Sequence, residues 1–253
     1  TQITPEWKPR IDSLNHIAQF APHDTSRLNA YCQLSKIYTE IRHKDSMIVV
    51  STRGYQEGEK ALLRVNSDRE KLSLKKSLAQ LSQGLGNVYT VTLFKDSVDH
   101  YFSVSSDYYK ELGDSSGIAQ NLSYSGQYYS VIGLTDEALQ KFNQALQIQR
   151  NSDDKAGLGE TLTRIGFFYR KMGNSEKAVV YLNKAAQLKT YLDDKGGVIP
   201  LYNELGLVCQ LNNNYVSALD FFYEALETAQ SINNQKGIGM TLGNIGMFYM
   251  RQG

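Results

Sequence analysis

The chain has 253 residues, 41% of them hydrophobic, and 27 Lys and Arg against 26 Asp and Glu leave a net charge of +1. That is enough apolar material to bury a core, and the balanced charge excludes a global field drawing the protein to nucleic acid or to an anionic membrane. No apolar run approaches the roughly 20 residues needed to cross a bilayer, so no membrane insertion is expected.

The chain opens at Thr1 on the polar segment TQITPEWKPR, without an initiator Met, which predicts that something upstream was removed. Within residues 1–23, Ile11, Leu14, Ile17 and Ala18 predict a short leading helix that stops at Ala21-Pro22, because the residue before a proline is pushed out of the helical region. Asp24 or Thr25 then starts the next helix. Residues 24–76 read as a degenerate repeat: Tyr31, Leu34, Ser35 and Tyr38 share one helix face, but Tyr89 follows Tyr38 only after 51 residues. About eleven residues are inserted there relative to the later period, and a second helix lengthened through Ala61 and Val65 is expected to hold them. Cys32 in this segment and Cys209 far downstream are expected to be buried small hydrophobes, since a chain of this size does not depend on one bridge.

From residue 77 the chain repeats every 40 residues. Gly86, Tyr89, Val98, Phe102 and Ser105 lie 40 before Gly126, Tyr129, Ala138, Phe142 and Ala145, so 77–116 is a unit, and 117–156, 157–196 and 197–236 follow it. Gly117, Gly157, Gly197 and Gly237 form one column, and Gly126, Gly166, Gly206 and Gly246 a second. Within one unit, Leu162, Ile165, Gly166 and Tyr169 fall at i, i+3, i+4 and i+7 and predict a helix A. After the Gly173-Asn174-Ser175 break, Ala178, Leu182, Ala185 and Ala186 predict a helix B. The small residues Gly166, Ala178 and Ala185 are placed where the two helices cross, since larger side chains would push the axes apart. Residues 237–253 hold a further helix A, with Ile245, Gly246 and Tyr249 in register. Its unpartnered apolar seam predicts that the natural protein continues.

This pattern resembles the tetratricopeptide repeat, in its 40-residue subclass: Leu122, Gly126, Tyr129, Ala138, Phe142, Ala145; then Leu162, Gly166, Tyr169, Ala178, Leu182, Ala185; then Tyr202, Gly206, Cys209, Ala218, Phe222, Ala225. The resemblance implies an all-α solenoid of antiparallel helix pairs curling into a right-handed superhelix, with helix A lining a concave groove that holds a protein or peptide. Against the family period of about 34, the extra residues are expected between helix B and the next helix A, in SDDKAG, LDDKGG and INNQKG.

The face of helix A opposite the seam supplies the candidate groove residues: Gln83, Asn87 and Thr90; Ser123, Gln127 and Ser130; Thr163, Phe167 and Arg170; Asn203, Leu207 and Gln210. It is polar and mostly uncharged, and Gln and Asn can both donate to and accept from a peptide backbone. Some family members grip a C-terminal carboxylate with Lys and Asn. Here the position before each apolar-Gly pair holds Tyr124, Arg164, Glu204 and Asn244, with Arg164 and Glu204 expected to pair with each other, so no such clamp is expected.

No residue set points to catalysis, a cofactor or a metal. His16, His23, His43 and His100 lack ligand spacing and read as surface or capping residues. Asp153-Asp154 and Asp193-Asp194 recur at 40 and read as solvated turn residues, while Gly84-Leu85-Gly86 and Gly237-Ile238-Gly239 lack the strand and third glycine of a dinucleotide loop. The 17 tyrosines are read mainly as seam residues, and without a basic stripe they imply no nucleic-acid binding. The polar start, the Asp24-Thr25-Ser26-Arg27-Leu28 helix start and the interrupted last repeat resemble the exported sensor region of bacterial membrane-anchored histidine kinases or nucleotide cyclases. That implies a periplasmic or extracytoplasmic location, the alternative being a cytoplasmic adaptor without an output enzyme.

Overall fold

The computed structural model describes residues 3–252; Thr1, which carried the expectation of a processed start, and Gly253 at the end of the last repeat lie outside them. The described residues form twelve α-helices and no strand, in two units, Thr1–Gly133 and Leu134–Gly253.

The first unit holds α1 (Lys8–Phe20), α2 (Asp24–Glu40), α3 (Lys44–Leu62), α4 (Asp68–Thr92), α5 (Lys95–Glu111) and α6 (Ser115–Val131). Each packs on its successor, and α4 also packs on α2 and α6. Ile11, Leu14 and Ala18 of α1 join Tyr31, Leu34, Ile37, Met47 and Leu81 in one core. The second unit holds α7 (Thr135–Asn151), α8 (Lys155–Lys171), α9 (Ser175–Tyr191), α10 (Lys195–Leu211), α11 (Tyr215–Ser231) and α12 (Gln235–Gln252). There α8 pairs with α9 and α10 with α11, while α10 also packs on α9 and α12.

Three-residue connections make the regular spacing. In the connection 152–154, Asp153 takes a left-handed φ of 51°, and the N–H of Asp154 reaches back to the Gln149 carbonyl at 3.1 Å. This closes the helix end in a Schellman motif. The Asp154 carboxylate then accepts the Gly157 N–H at 2.9 Å, so the residue that ends α7 also caps α8. Asp193 and Asp194 repeat the arrangement with Gly197, and Asn233 and Asn234 with Gly237. The paired acids are therefore not only solvated turn residues. At Gly157 and Gly197 a Cβ would lie 2.4 and 2.2 Å from the capping carboxylate, and at Gly117 it would lie 2.4 Å from the Tyr109 ring, so the column has more than one reason to be glycine.

Gly86, Gly166 and Gly206 of the second column behave as the packing argument requires. A Cβ on Gly86, Gly166 or Gly206 would come within 2.7, 2.6 and 2.5 Å of Phe102, Leu182 and Phe222 on the following helix. Ala138, Ala145, Ala178, Ala185, Ala218 and Ala225 are fully buried.

Two expectations about length are corrected. SDDKAG is not a long loop: Ser152, Asp153 and Asp154 form the connection, and Lys155, Ala156 and Gly157 are already the first turn of α8. The six residues beyond the usual repeat are absorbed by 17-residue helices, which an N-cap in mid-segment allows the chain to start early. The eleven-residue insertion is likewise not mainly in helix B. α3 has 19 residues, but α4 has 25 and begins at Asp68, nine positions before the boundary expected at 77. Leu74 and Leu78 anchor its added turns in the core at 1% and 0% exposure.

Candidate functional site

In the first unit, α2 and α4 lie against each other with the faces away from their seams turned toward a cavity of about 400 Å³. Its wall includes Cys32, Lys36 and Thr39 from α2, Gln80, Gln83 and Asn87 from α4, and Gln120 and Tyr124 from α6. Gly84 lies on the same wall, and a Cβ there would reach within 3.0 Å of the Ser35 hydroxyl, which itself accepts from Ser51 at 2.9 Å. Met47, Tyr109 and Tyr124 add apolar surface to the amides and hydroxyls of this wall, and Lys36 and Glu40 are its charged members. Asn87 Oδ1 is buried and has no hydrogen-bond partner among the described residues. A buried acceptor left in that state costs about 1–3 kcal/mol, so turning the Asn87 amide toward a donor placed in the cavity would be favoured. Cys32 donates its thiol to the Ser77 carbonyl at 3.5 Å, and burial pushes its pKa up to about 11, so it is not a reactive thiolate.

The structure places the expected groove residues unevenly. Gln83 is half-buried and donates to Asn121 Oδ1 at 2.8 Å; Asn121 in turn donates to Ser106 Oγ at 3.0 Å. Thr90 is half-buried and bonds the Asn87 carbonyl at 2.7 Å. On α6, Gln127 is exposed and Ser130 half-buried, but Ser123 is buried. In the second unit, Thr163 and Phe167 are half-buried and Arg170 is exposed. Leu207 packs partly into the core around Cys209 and Phe222.

Three positions are corrected outright: Ser123, Asn203 and Gln210 are 1%, 3% and 8% exposed and do not line an open groove. Asn203 faces the next helix A, donating to Thr241 Oγ1 at 2.8 Å and accepting from Asn244 Nδ2 at 2.7 Å. Gln83 and Asn203 occupy the same repeat column, and each bonds the residue 38 positions ahead. One turn of the expected groove face thus fastens adjacent repeats instead. The expected pair Arg164–Glu204 is also corrected. Arg164 sits 3.6 Å from Glu160 one turn back, whereas Glu204 is held by Arg170.

What the sequence reasoning missed is α2. Lys36 stands two residues before Tyr38, as Phe167 stands two before Tyr169, so the groove column runs through Cys32, Lys36 and Thr39. The 51-residue gap hid that register. Cys32 and Cys209 are both buried and unbridged, as expected. Among the described residues, no three of His, Cys, Asp and Glu converge on a point, and no helix is long and apolar enough to cross a membrane.

The 17-residue pairs with a covered glycine and buried alanines belong to a known pattern. Residues 115–190 and 157–231 match the tetratricopeptide repeat family. No curated protein sequence matches the chain significantly. Among solved structures, aspartyl phosphate phosphatase F from Bacillus subtilis is 13% identical with a TM-score of 0.71, over 98% of this chain and 61% of that one. A Rap protein complexed with competence and sporulation factor is 16% identical with a TM-score of 0.69, over 92% and 62%. NprR in complex with its cognate peptide NprX is 16% identical with a TM-score of 0.59, over 98% and 66%. The chain therefore spans less than two thirds of each of these proteins, and at such identities the likeness is one of fold. The family match runs from α6 to α11.

Proposed function

We propose that this protein is a binding scaffold that holds an extended polypeptide on its helix A faces, with the first unit's cavity as the principal seat. The observation that carries the reading is the cavity between α2 and α4, which combines four side-chain amides with apolar surface from Met47, Tyr109 and Tyr124 and in which Asn87 Oδ1 is buried and has no partner among the described residues. An extended peptide has one N–H and one C=O per residue, and side-chain amides satisfy either. Of the solved structures of like fold, NprR holds its cognate peptide NprX and a Rap protein holds competence and sporulation factor, which supports the same use of this fold. Phe167, half-buried on α8 and flanked by Thr163 and Arg170, offers an apolar contact in the second unit. In a pull-down of random octapeptides read by mass spectrometry, the chain should enrich a subset, and Asn87→Ala should lose it while melting as the parent does. Equal recovery by parent and Asn87→Ala would sink the assignment.

The scaffold is further proposed to be the extracytoplasmic sensor region of a larger bacterial signalling receptor, with a cytoplasmic adaptor as the alternative. The support is the resemblance of residues 24–28 and of the repeat register. Reading the gene on both sides of these residues decides it: an export signal with a membrane span and output domain fits the first, and uninterrupted repeats fit the second.

A further inference from the structure

Four departures from the repeat meet in the cavity between α2 and α4. Gly84 heads a column that continues with Tyr124, Arg164, Glu204 and Asn244, so it alone in that column lacks a side chain, and Tyr124 alone is aromatic. Tyr109 heads a column of Gln149, Lys189 and Ala229. Met47 follows Tyr38 by nine residues, as Ala138 follows Tyr129 and Ala178 follows Tyr169, so a thioether stands where the regular units have alanine. All four line the one cavity, and each comes from a different helix: Met47 from α3, Gly84 from α4, Tyr109 from α5 and Tyr124 from α6. The three side chains are held in place. The Met47 sulfur accepts from the Thr39 hydroxyl at 3.3 Å, and its methyl carbon would lie 3.8 Å from a Cβ on Gly84. The buried Tyr109 ring uses the room that Gly117 leaves, and the Tyr124 ring lies parallel to that of Phe102 with 6.2 Å between centroids. Lys36 and Glu40 are opposite in sign and one turn apart on α2, so together they favour neither charge in a ligand.

We propose that the cavity contains a side-chain pocket, opened at Gly84 and walled by Met47, Tyr109 and Tyr124, that takes one uncharged aromatic side chain of the bound peptide. The inference rests on the peptide-binding reading above and adds the chemical class of the ligand: a peptide anchored by a Phe or another neutral ring. A ring packs favourably against tyrosine rings in offset or edge-to-face arrangements and against a methionine thioether. It also brings a large contact area with only two rotatable side-chain bonds to freeze. A Lys or Glu side chain would give up its hydration against Met47 and the tyrosines with nothing to replace it. On α4, Gln80, Gly84 and Asn87 share one face, so amides flank the gap at Gly84 on both sides and can meet the backbone next to the anchor. At about 400 Å³ the cavity has room for a ring and that backbone together, within the range of sites that enclose small organic ligands. Gly84 is then a specificity-determining residue, because any larger side chain of its column would occupy the gap.

The test labels the methionine methyl groups of the whole chain with ¹³C, assigns Met47 among the five through Met47→Leu, and titrates with acetyl-Ala-X-Ala-amide, where X is Phe, Leu or Glu. The Phe probe should shift the Met47 methyl saturably by the ring's own magnetic field and leave the other four methyl signals in place. The Leu probe should bind more weakly, and the Glu probe should not bind. Gly84→Asn, which puts into the gap the side chain that Asn244 carries in the same column, should weaken the Phe probe about thirtyfold, the scale of a lost aromatic anchor. Tyr124→Leu keeps the apolar bulk, removes the ring face and should weaken it as well, so the test survives if Gly84→Asn does not fold. A Met47 methyl that ignores the Phe probe, equal shifts from the Glu probe, or unchanged affinity in both variants would overturn the pocket. Octapeptides that depend on Asn87 but share no aromatic residue would leave the groove standing and remove the pocket. A Phe probe seen at Met47 alongside octapeptides indifferent to Asn87 would do the reverse.

Discussion

Gly166 and Gly246 occupy one repeat column, but their surroundings make opposite predictions. At Gly166 a Cβ would meet Leu182 Cγ at 2.6 Å and the Leu182 backbone N at 3.3 Å, so the α8–α9 crossing has to open. At Gly246 nothing lies within 4 Å. Gly166→Ala should therefore destabilise by about 1–3 kcal/mol through overpacking, and Gly166→Leu by more. Gly246→Ala should stabilise by up to about 1 kcal/mol, the gain in helix propensity alone; paired thermal melts read both signs. Asp194 supplies a pH test. The hydrogen bond from Lys189 holds its carboxyl below the usual range, burial opposes this, and the Gly197 N–H helps. A depressed folded pKa contributes stability that is present above the ordinary carboxylate value and lost as pH falls through the folded one. Asn can keep the cap but not the charge, so the melting advantage of the parent over Asp194→Asn should be present at pH 5 and shrink toward pH 2. Both glycine columns were legible as a period. The reason for the first was not, although Asp114, Asp154, Asp194 and Asn234 stand three residues before its members in plain view. Pairing a cap with its column needs the helix start, which sequence patterns place poorly.

At the scale of elements, the Arg170–Glu204 contact fastens α8 to α10. Burial raises the Glu204 carboxyl pKa and Arg170 opposes the rise, so removing the guanidinium leaves a part-buried carboxylate without its cation. Arg170→Ala should cost about 1–3 kcal/mol in urea unfolding, the penalty for a partner lost to a buried charged group, and Glu204→Gln in the same chain should recover part of it. Phe167→Ala, which leaves no charge behind, should cost less at the same helix. A groove face read from spacing alone puts Phe167 and Arg170 together as free surface, because helical periodicity gives direction but not the neighbour that arrives from the next repeat. The same limit explains Asn203 and Gln83, whose column fastens one helix A to the next. α4 shows the opposite case, in which a break in period was visible but not which helix had grown, since Ala61 and Leu74 fit a helix equally well.

For the molecule as a whole, the two proposed peptide contacts lie in different settings: Asn87 where the repeat is least regular, and Phe167 where it is most regular. The all-helical class and the units from 117 to 236 follow from the 40-residue period, because near-identical neighbours leave few ways to pack. The first 76 residues do not, because they keep the packing columns and alter the spacing. The three-residue connections carry a genetic consequence. Excising residues 157–196 would bring Asp154, Lys155 and Ala156 directly before Gly197, restoring the same closing turn and helix start at the new junction. Unequal recombination between repeats can therefore shorten or lengthen this gene by 120 bases at a time without a scar in the fold. A 20-codon slip, by contrast, would place a second helix where a first belongs and would be purged; a protein made from the 157–196 deletion should keep the parent's helicity per residue in circular dichroism.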